Sequence, residues 1–349
     1  MPSPWAMPDF DDHEVVHFVN DRKTGLKAII AVHSTHLGPG AGGVRFWRYA
    51  DDDAALIDAL RLSRGMSYKN AMAGLRLGGG KAVVLADSAG SKTPEMLAAY
   101  GRAVDGLGGR YVTAEDVGMT VADMVAISRE TRHVSGLPVA SGSIGGDPGP
   151  HTAKGVYLGI KAAVRRALGK DSMAGLRIAI QGTGSVGGGV ARLAAADGAR
   201  LIIADLDEAR AQALGWELGG EVVGADEILA AEAEVVSPCA LGAVLTHDSI
   251  AALRAPIVAG GANNQLQTPD CGARLQERGI LYAPDYVINA GGIINVASEY
   301  LGDTDTLIVE GRIANIPVRL DEVWAESTAS GADPAAVADR MARALIGRG

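Results

Sequence analysis

The sequence predicts a two-domain α/β protein, with a mixed sheet in the first domain and a doubly wound parallel sheet in the second. Three observations predict it. Beyond residue 150, strand-like apolar runs alternate with helical stretches, the pattern of a parallel sheet with crossover helices. A G-x-G-x-x-G triplet, Gly182, Gly184 and Gly187, sits directly between one such run and a helix. Ahead of both, "SGLPVASGSIGGDPGP" (135–150) is too rich in Gly, Pro and Ser to build a helix, and it separates two domains as a hinge or as part of a site.

In chain order, "GLKAIIAVHST" (25–35) is β-rich, and "GGVRFW" follows a Gly/Pro turn at 38–40. Residues 51–64 read as a helix, with Leu56 and Leu60 four apart and acids in the first turn. "KAVVLAD" (81–87) reads as a buried strand. The next helix takes Thr93 as N-cap and Pro94 at its first position, and ends near Gly106 or Gly108. "RYVTAED" (110–116) is a strand, and Thr120 with Asp123 opens another helix. In the second domain a helix at 152–168 leads to strand "LRIAIQ", the glycine turn and its helix, strand "RLIIAD", and a helix at 208–218. Three apolar runs follow, "AEVVSPCA", "APIVAGGAN" and "GILYAPDYVIN", and helical segments at 289–300 and about 318–345 close the chain.

Bulk properties narrow the function. The 349 residues suffice for two cores, and 48% hydrophobic with 21% charged residues is a globular balance. The 47 glycines cluster in motifs and turns and follow no repeat. A net charge of -9 argues against nucleic acid or an anionic membrane as partner. Cys239 and Cys271 form no CxxC and read as reduced thiols of a cytoplasmic protein, and no metal is expected. The opening "MPSPWAMPDFDDHEVV" lacks the basic and apolar regions of a signal peptide, and no run of about eighteen apolar residues could span a bilayer.

The glycine triplet carries chemistry. Gly182 permits a tight turn after a strand. Gly184 lets the backbone approach a pyrophosphate seated on the helix N-terminus, and Gly187 allows close helix–strand packing. Thr183, Ser185 and Val186 fill the same turn. Asp205 ends the next strand, 23 residues after Gly182, where its carboxylate can accept from a ribose 2′-hydroxyl. Asp205, Asp207 and Glu208 would repel a 2′-phosphate, which favours NAD over NADP, and Arg210 is the one opposing charge.

"YKNAMAGLRLGGGKAVV" (68–84) holds two lysines, Lys69 and Lys81, around three glycines. It is not a phosphate loop, because Leu75 stands five before Gly80 and Ala82 follows the lysine. Together with "GPGAGGVRFW", "YVTAEDVG", "GDPGPHTAKGV", "GTGSVG" and "NAGGIINVASE", in this order over nearly the whole chain, the segment resembles the leucine, valine and phenylalanine dehydrogenases of the glutamate dehydrogenase superfamily. The resemblance implies NAD-dependent oxidative deamination of an L-amino acid to a 2-oxo acid and ammonia, in a homo-oligomer. It makes Lys69 the holder of the substrate carboxylate, Lys81 the catalytic base and Asp116 the proton shuttle. It sets Gly42 and Gly43 near the substrate carboxylate, and Thr152, Cys239, Ala240, Asn263 and Asn289 around the cofactor, with Asn263 also near substrate. It further implies a Rossmann-type NAD domain at 151–325, a substrate and oligomerisation domain at 1–135, a hinge at 136–150 and a cleft between the domains. A C-terminal helix (326–349) returns towards the first domain.

Glutamate dehydrogenases carry a lysine just before the position of Gly42 and a hydroxyl in "GGIINV". Here these positions are Ala41 and Val296. An unpartnered γ-carboxylate would cost several kcal/mol on burial, which rejects glutamate. The expected pocket is Ala41, Met66, Ala114, Ile293 and Val296, all apolar. Ala41 leaves room for an aromatic ring and Ile293 opposes one, so leucine, isoleucine or valine stands first with phenylalanine or tryptophan as the alternative. A catalytically silent NAD-binding paralogue is the third reading, against which stands the intact set of Lys69, Lys81 and Asp116.

Overall fold

A computed structural model of the chain describes residues 4–7, 9–86, 92–138, 144–240, 242–303 and 305–349. The chain folds as two units. One comprises Met1–Gly146, Asn295–Thr306 and Ala342–Gly349, and the other Asp147–Ile294 and Leu307–Met341. The segments that rejoin the first unit are thus 295–306 and 342–349, where the sequence suggested one helix at 326–349. Part of the expected hinge, residues 139–143, lies outside the described residues, as does Asp87 of the expected strand 81–87.

The first unit is built on β1 (Val15–Asp21), β2 (Leu26–Ser34), β3 (Gly40–Trp47), β4 (Gly78–Leu85) and β5 (Tyr111–Glu115), in the order β1-β2-β4-β3-β5. β1, β2 and β4 pair antiparallel, while β3 runs parallel to both β4 and β5, so the sheet is mixed. β1 carried no clear sequence signal, being half-exposed at the sheet edge. One face packs on α1 (Asp52–Met72), through Ile29, Ala31 and Val83 against Ala55, Ala59 and Leu60. The other face packs on α2 (Pro94–Asp105) and α3 (Val121–Ser128) around Tyr100, Met124 and Ile127. The Thr93 cap and the Thr120–Asp123 capping box form as expected. The helix expected at 51–64 instead runs on to Met72, because its last turns are held by packing that intrinsic propensity does not report.

The second unit opens with α4 (Gly149–Leu168), followed by β6 (Arg177–Gln181), α5 (Ser185–Ala196), β7 (Arg200–Ala204), α6 (Glu208–Leu218) and β8 (Glu221–Val222). Its second half contains β9 (Val235–Pro238), α7 (His247–Ala252), β10 (Ile257–Val258), α8 (Asp270–Glu277), β11 (Leu281–Tyr282) and α9 (Asp285–Ile288). The sheet is wholly parallel in the order β11-β10-β9-β6-β7-β8, which reverses direction between β6 and β9. That reversal is where doubly wound sheets bind ligands, outside the carboxyl ends of the strands. The chain ends with α10 (Gly291–Tyr300), α11 (Thr306–Ala314), α12 (Ile316–Ser330) and α13 (Pro334–Leu345). One expected helix at 318–345 is therefore two, broken at Gly331, whose φ of +74° ends α12 in a left-handed cap.

The C-terminal segment is clasped to the start of the chain within the first unit. Arg348 donates to the carbonyls of Asp11, Asp12 and His33, and Arg343 pairs with Asp11 and donates to the Tyr68 hydroxyl. Arg348 also lies 2.7 Å from His33 Nε2. Arginine only donates, so Nε2 is unprotonated and the Nδ1–H donates to Ser67 Oγ at 2.8 Å. Burial first, then the Arg348 charge, lowers His33 to about 3, and burial lowers its buried neighbour His13 as well. His33 stays neutral in the folded chain where the unfolded chain would protonate it. The unfolded state then binds more protons, and stability falls as pH drops below about 6.5, by up to roughly 1.4 kcal/mol per pH unit from His33. Thermal unfolding followed from neutral to mildly acidic pH should show this slope, and His33→Gln should reduce it. An unchanged slope in that variant would show that His33 titrates alike in both states.

Candidate active site

In the first unit the expected residues converge where β3, β4 and β5 meet α1. Neighbours of Lys81 on β4 alternate between faces: Ala82 and Val84 enter the core under α2, and Val83 the core under α1. Lys81 therefore points to the α1 side. It is 6% exposed, and its Nζ lies 2.6 Å from Asp116 Oδ2. Burial drives the Lys81 ammonium below its ordinary range, against the pull of Asp116. Burial opposes ionisation of Asp116 too, but Lys81 and Arg45 outweigh it and hold the carboxyl below its ordinary range.

The glycines act by letting backbones touch. A Cβ on Gly79 would lie 2.1 Å from the Ser67 amide of α1, and one on Gly42 would lie 1.9 Å from the Gly80 carbonyl and 3.1 Å from Met66 Cγ. A Cβ on Gly43 would press on Asp116 Cβ at 2.7 Å. What these glycines bring close to the lysine is helix and strand backbone. Tyr111, fully buried, donates to the Gly42 carbonyl at 2.7 Å and fixes the peptide joining Gly42 to Gly43. Ala114 stands opposite Gly43 in register, and Ala41 is buried beside it in β3. Lys69 follows Met66 by three residues and so shares its face of α1. The following Asn70 donates to the Gly78 carbonyl at 2.6 Å, tying this turn to β4. Val296 belongs to the first unit, on α10, and Ile293 to the second.

Sequence reading missed the cation behind Asp116. Arg45 donates from Nε to Asp116 Oδ2 at 3.2 Å and from Nη1 to Asp58 Oδ2 at 2.8 Å. Asp58 also accepts from Tyr49 and Arg61. The available signal was a charge between Val44 and Phe46 in a strand otherwise fit for burial, since such a charge demands a partner.

The second unit gathers its own set. Gly182 has a φ of +90°, and a Cβ there would meet Ala240 at 2.7 Å across the reversal between β6 and β9. A Cβ on Gly187 would lie 1.9 Å from the Gly182 carbonyl and 3.0 Å from Cys239. Gly184 is the exception. No atom lies within 4 Å of its added Cβ, and as N-cap of α5 it offers no side-chain cap to the first amides of the helix. Ser185 abuts Gly149 at the start of α4, and Val186 lies against Gly261. Asn289 donates to Asn263 Oδ1 at 2.9 Å, and its own buried Oδ1 has no hydrogen-bond partner. Thr152 is not the N-cap of α4. It lies inside the first turn, where its hydroxyl donates to the Pro148 carbonyl at 2.9 Å and faces Gly292. Asp205 accepts from the Thr183 amide and hydroxyl at 2.7 and 2.8 Å. Its other oxygen accepts from the Asp207 amide, and a carboxylate still has capacity for a further donor. An open cradle over Gly184 and an unpartnered amide oxygen on Asn289 fit a dinucleotide with an amide-bearing ring.

Two family models match the chain. Residues 13–133 match the Glu/Leu/Phe/Val dehydrogenase dimerisation domain, and residues 203–313 match Glutamate/Leucine/Phenylalanine/Valine dehydrogenase. The chain belongs to this family of amino acid dehydrogenases. It is 47% identical to a leucine dehydrogenase of Bacillus subtilis (strain 168), over 97% of this chain and 92% of that protein. It is 44% identical to a valine dehydrogenase of Streptomyces coelicolor, over 96% and 92%. Among solved structures, L-tryptophan dehydrogenase from Nostoc punctiforme superposes with a TM-score of 0.84 at 39% identity, over 96% of both chains. A glutamate dehydrogenase from Thermus thermophilus, at 24% identity and a TM-score of 0.75, shares the fold. The enzyme is thus an oxidoreductase, and among its described residues no helix is long and apolar enough to cross a membrane.

Two glycines separate binding from folding. Gly184→Ala meets no protein atom, so the melting temperature should move by only about 2 °C, while affinity for NAD falls on the order of tenfold or more. Gly187→Ala drives a Cβ into backbone and should lower stability as well. Calorimetric titration with NAD beside thermal unfolding checks both, and a Gly184→Ala protein with normal affinity would refute the cradle.

Proposed function

We propose that this dehydrogenase oxidatively deaminates an apolar aliphatic L-amino acid, of the leucine, isoleucine or valine type, with NAD, reversibly and as a homo-oligomer. The observation that carries the reading is the contact of buried Lys81 with half-buried Asp116, an ammonium and a carboxylate 2.6 Å apart.

Gly182 to Gly187 would hold the pyrophosphate, Asp205 the ribose, and Thr152, Asn289 and Asn263 the nicotinamide end. Arg210 pairs with Asp207 at 3.0 Å and lies 3.8 Å from Asp205, so its charge is already compensated and the site favours a ribose hydroxyl over a 2′-phosphate. When bound, the dinucleotide supplies the two-electron acceptor. Lys69 takes the substrate carboxylate by charge-assisted hydrogen bonds. Burial lowers the Lys81 ammonium and so eases the loss of its proton, which frees the amine to deprotonate the water that adds to the imine carbon. Asp116 accepts a proton from Lys81 across their contact and delivers it to the departing nitrogen.

Ala41, Met66, Ala114, Ile293 and Val296 offer the side chain no polar partner, and each methylene buried there contributes roughly 0.8 kcal/mol. This ranks leucine above alanine and excludes glutamate. The similarity to L-tryptophan dehydrogenase, together with the small Ala41, keeps an aromatic substrate as the second reading.

A panel of L-amino acids, with reduced cofactor followed by absorbance, decides between them. Leucine, isoleucine and valine should give the highest kcat/KM. Preference for phenylalanine or tryptophan would select the second reading, and no turnover with any would sink both. Lys81→Ala should lower kcat by about three orders of magnitude while leaving NAD affinity unchanged. Equal loss of both would make the lysine structural.

A further inference from the structure

Arg45 is the one arginine in β3, set opposite Val83 of β4, and its two flanking side chains pack into the α2-side core. Its guanidinium bridges two carboxylates, Asp116 from Nε and Asp58 from Nη1. Asp58, 9% exposed on α1, is itself held on three sides. Tyr49 donates to the same Oδ2 at 2.8 Å, and Arg61 donates to Oδ1 at 3.1 Å. An anion so fixed aims the guanidinium. Lys81 and Arg45 converge on one oxygen, Asp116 Oδ2.

Building on the role of Lys81 as base argued above, we propose that Arg45, aimed by Asp58, is a positioning residue that leaves Asp116 ionised and turned to Lys81 at the start of each proton relay, when Lys81 is neutral.

The reason lies in the proton cycle. Lys81 must lose its proton to act. Were it the only cation on Asp116, that loss would strand a half-buried carboxylate, which would take up a proton itself. A carboxyl that is already protonated cannot accept the next proton from Lys81. Arginine does not deprotonate, so one cation always remains. A lysine in its place would carry the charge but could not reach two carboxylates with separate, rigidly set N–H groups. The charged and titratable groups around the pair are few. Asp116 faces Lys81 from the end of β5, Arg45 from β3 and Asp58 from α1. Tyr111 and Tyr49 are raised by burial and stay neutral. Lys69 is the other ammonium near the C-terminal end of α1.

The direct test needs neither substrate nor cofactor. In Lys81→Met, residue 81 is uncharged at every pH. 13C NMR of aspartate-labelled protein, with the Asp116 resonance assigned by its loss in Asp116→Asn, reads the Asp116 titration. Its midpoint should stay below neutral pH in Lys81→Met and rise by about one pH unit or more when Arg45→Gln is added, on the order of tenfold in proton affinity. An unmoved midpoint overturns the proposal. Kinetics provides a second readout that a merely structural role would not move. The acid limb of kcat/KM should shift to higher pH in Arg45→Gln, where the cation is lost, and in the same direction but by less in Asp58→Asn, where the guanidinium loses its aim. Arg45→Lys should restore the limb but not kcat. Should the double variant fail to fold, Arg45→Gln decides alone, and a limb that stays put or moves to lower pH overturns the proposal. Absence of any amino acid oxidation by the wild type would refute the proposed function and leave the NMR result standing.

Discussion

The candidate site is built around one dry ammonium. Burial lowers Lys81, Asp116 after β5 and Asp58 on α1 pull the other way, and Arg45 on β3 adds to the lowering. That arrangement needs α1 to lie directly on β4, and the glycines permit it. With any side chain at Gly79, α1 would have to lift off β4 at Ser67. None of Gly42, Gly43, Gly78, Gly79 or Gly80 has a positive φ, so their value is the absence of a Cβ and not backbone freedom. In the dinucleotide turn the two uses occur together. Gly182 needs its left-handed conformation, Gly187 needs the space and Gly184 needs neither.

How much of this could be read from sequence follows from how local each signal is. The turn after β6, its helix and Asp205 lie within one strand–helix–strand unit, and they were legible as a pattern with a mechanism. So were the Thr93 and Thr120 caps, whose hydrogen bonds span three residues. Lys81 and Asp116 came from family resemblance, since nothing in spacing pairs residues 81 and 116. The pairs from Arg45 to Asp58 and from Arg343 to Asp11 were not legible, the latter spanning 332 positions. Helix ends failed where tertiary contacts overrode propensity. Tyr68 and Asn70 are modest helix formers, yet α1 continues through them because Arg343 holds the Tyr68 hydroxyl and Asn70 holds the Gly78 carbonyl.

That extension of α1 has consequences for the candidate site. Had the helix ended at Arg64, Lys69 would sit on a loop with its direction unset. As built, its turn is fastened on both sides, to the C-terminal clasp through Tyr68 and to β4 through Asn70. A residue asked to hold a carboxylate gains most when its own backbone cannot drift, since misplacement of even about an ångström weakens such contacts severely. The clasp of Arg343 and Arg348 therefore steadies the turn that carries Lys69, although neither arginine belongs to the expected pocket.

The same logic applies to α10. Its Asn295 exchanges two hydrogen bonds with Gly145, its Glu299 accepts from the amides of Gly136 and Leu137, and its Tyr300 lies 3.2 Å from His133. Burial raises the Glu299 carboxyl, and the two amides oppose that rise. Both ends of the Gly/Pro/Ser-rich stretch that the sequence marked as a boundary are thus tied to one helix. Val296, expected to meet the substrate side chain, stands between these anchors in the same turns. Side-chain fit and loop anchorage cannot vary independently when they share one rigid rod. A larger residue at 296 would therefore press on the same helix that holds Gly136, Leu137 and Gly145.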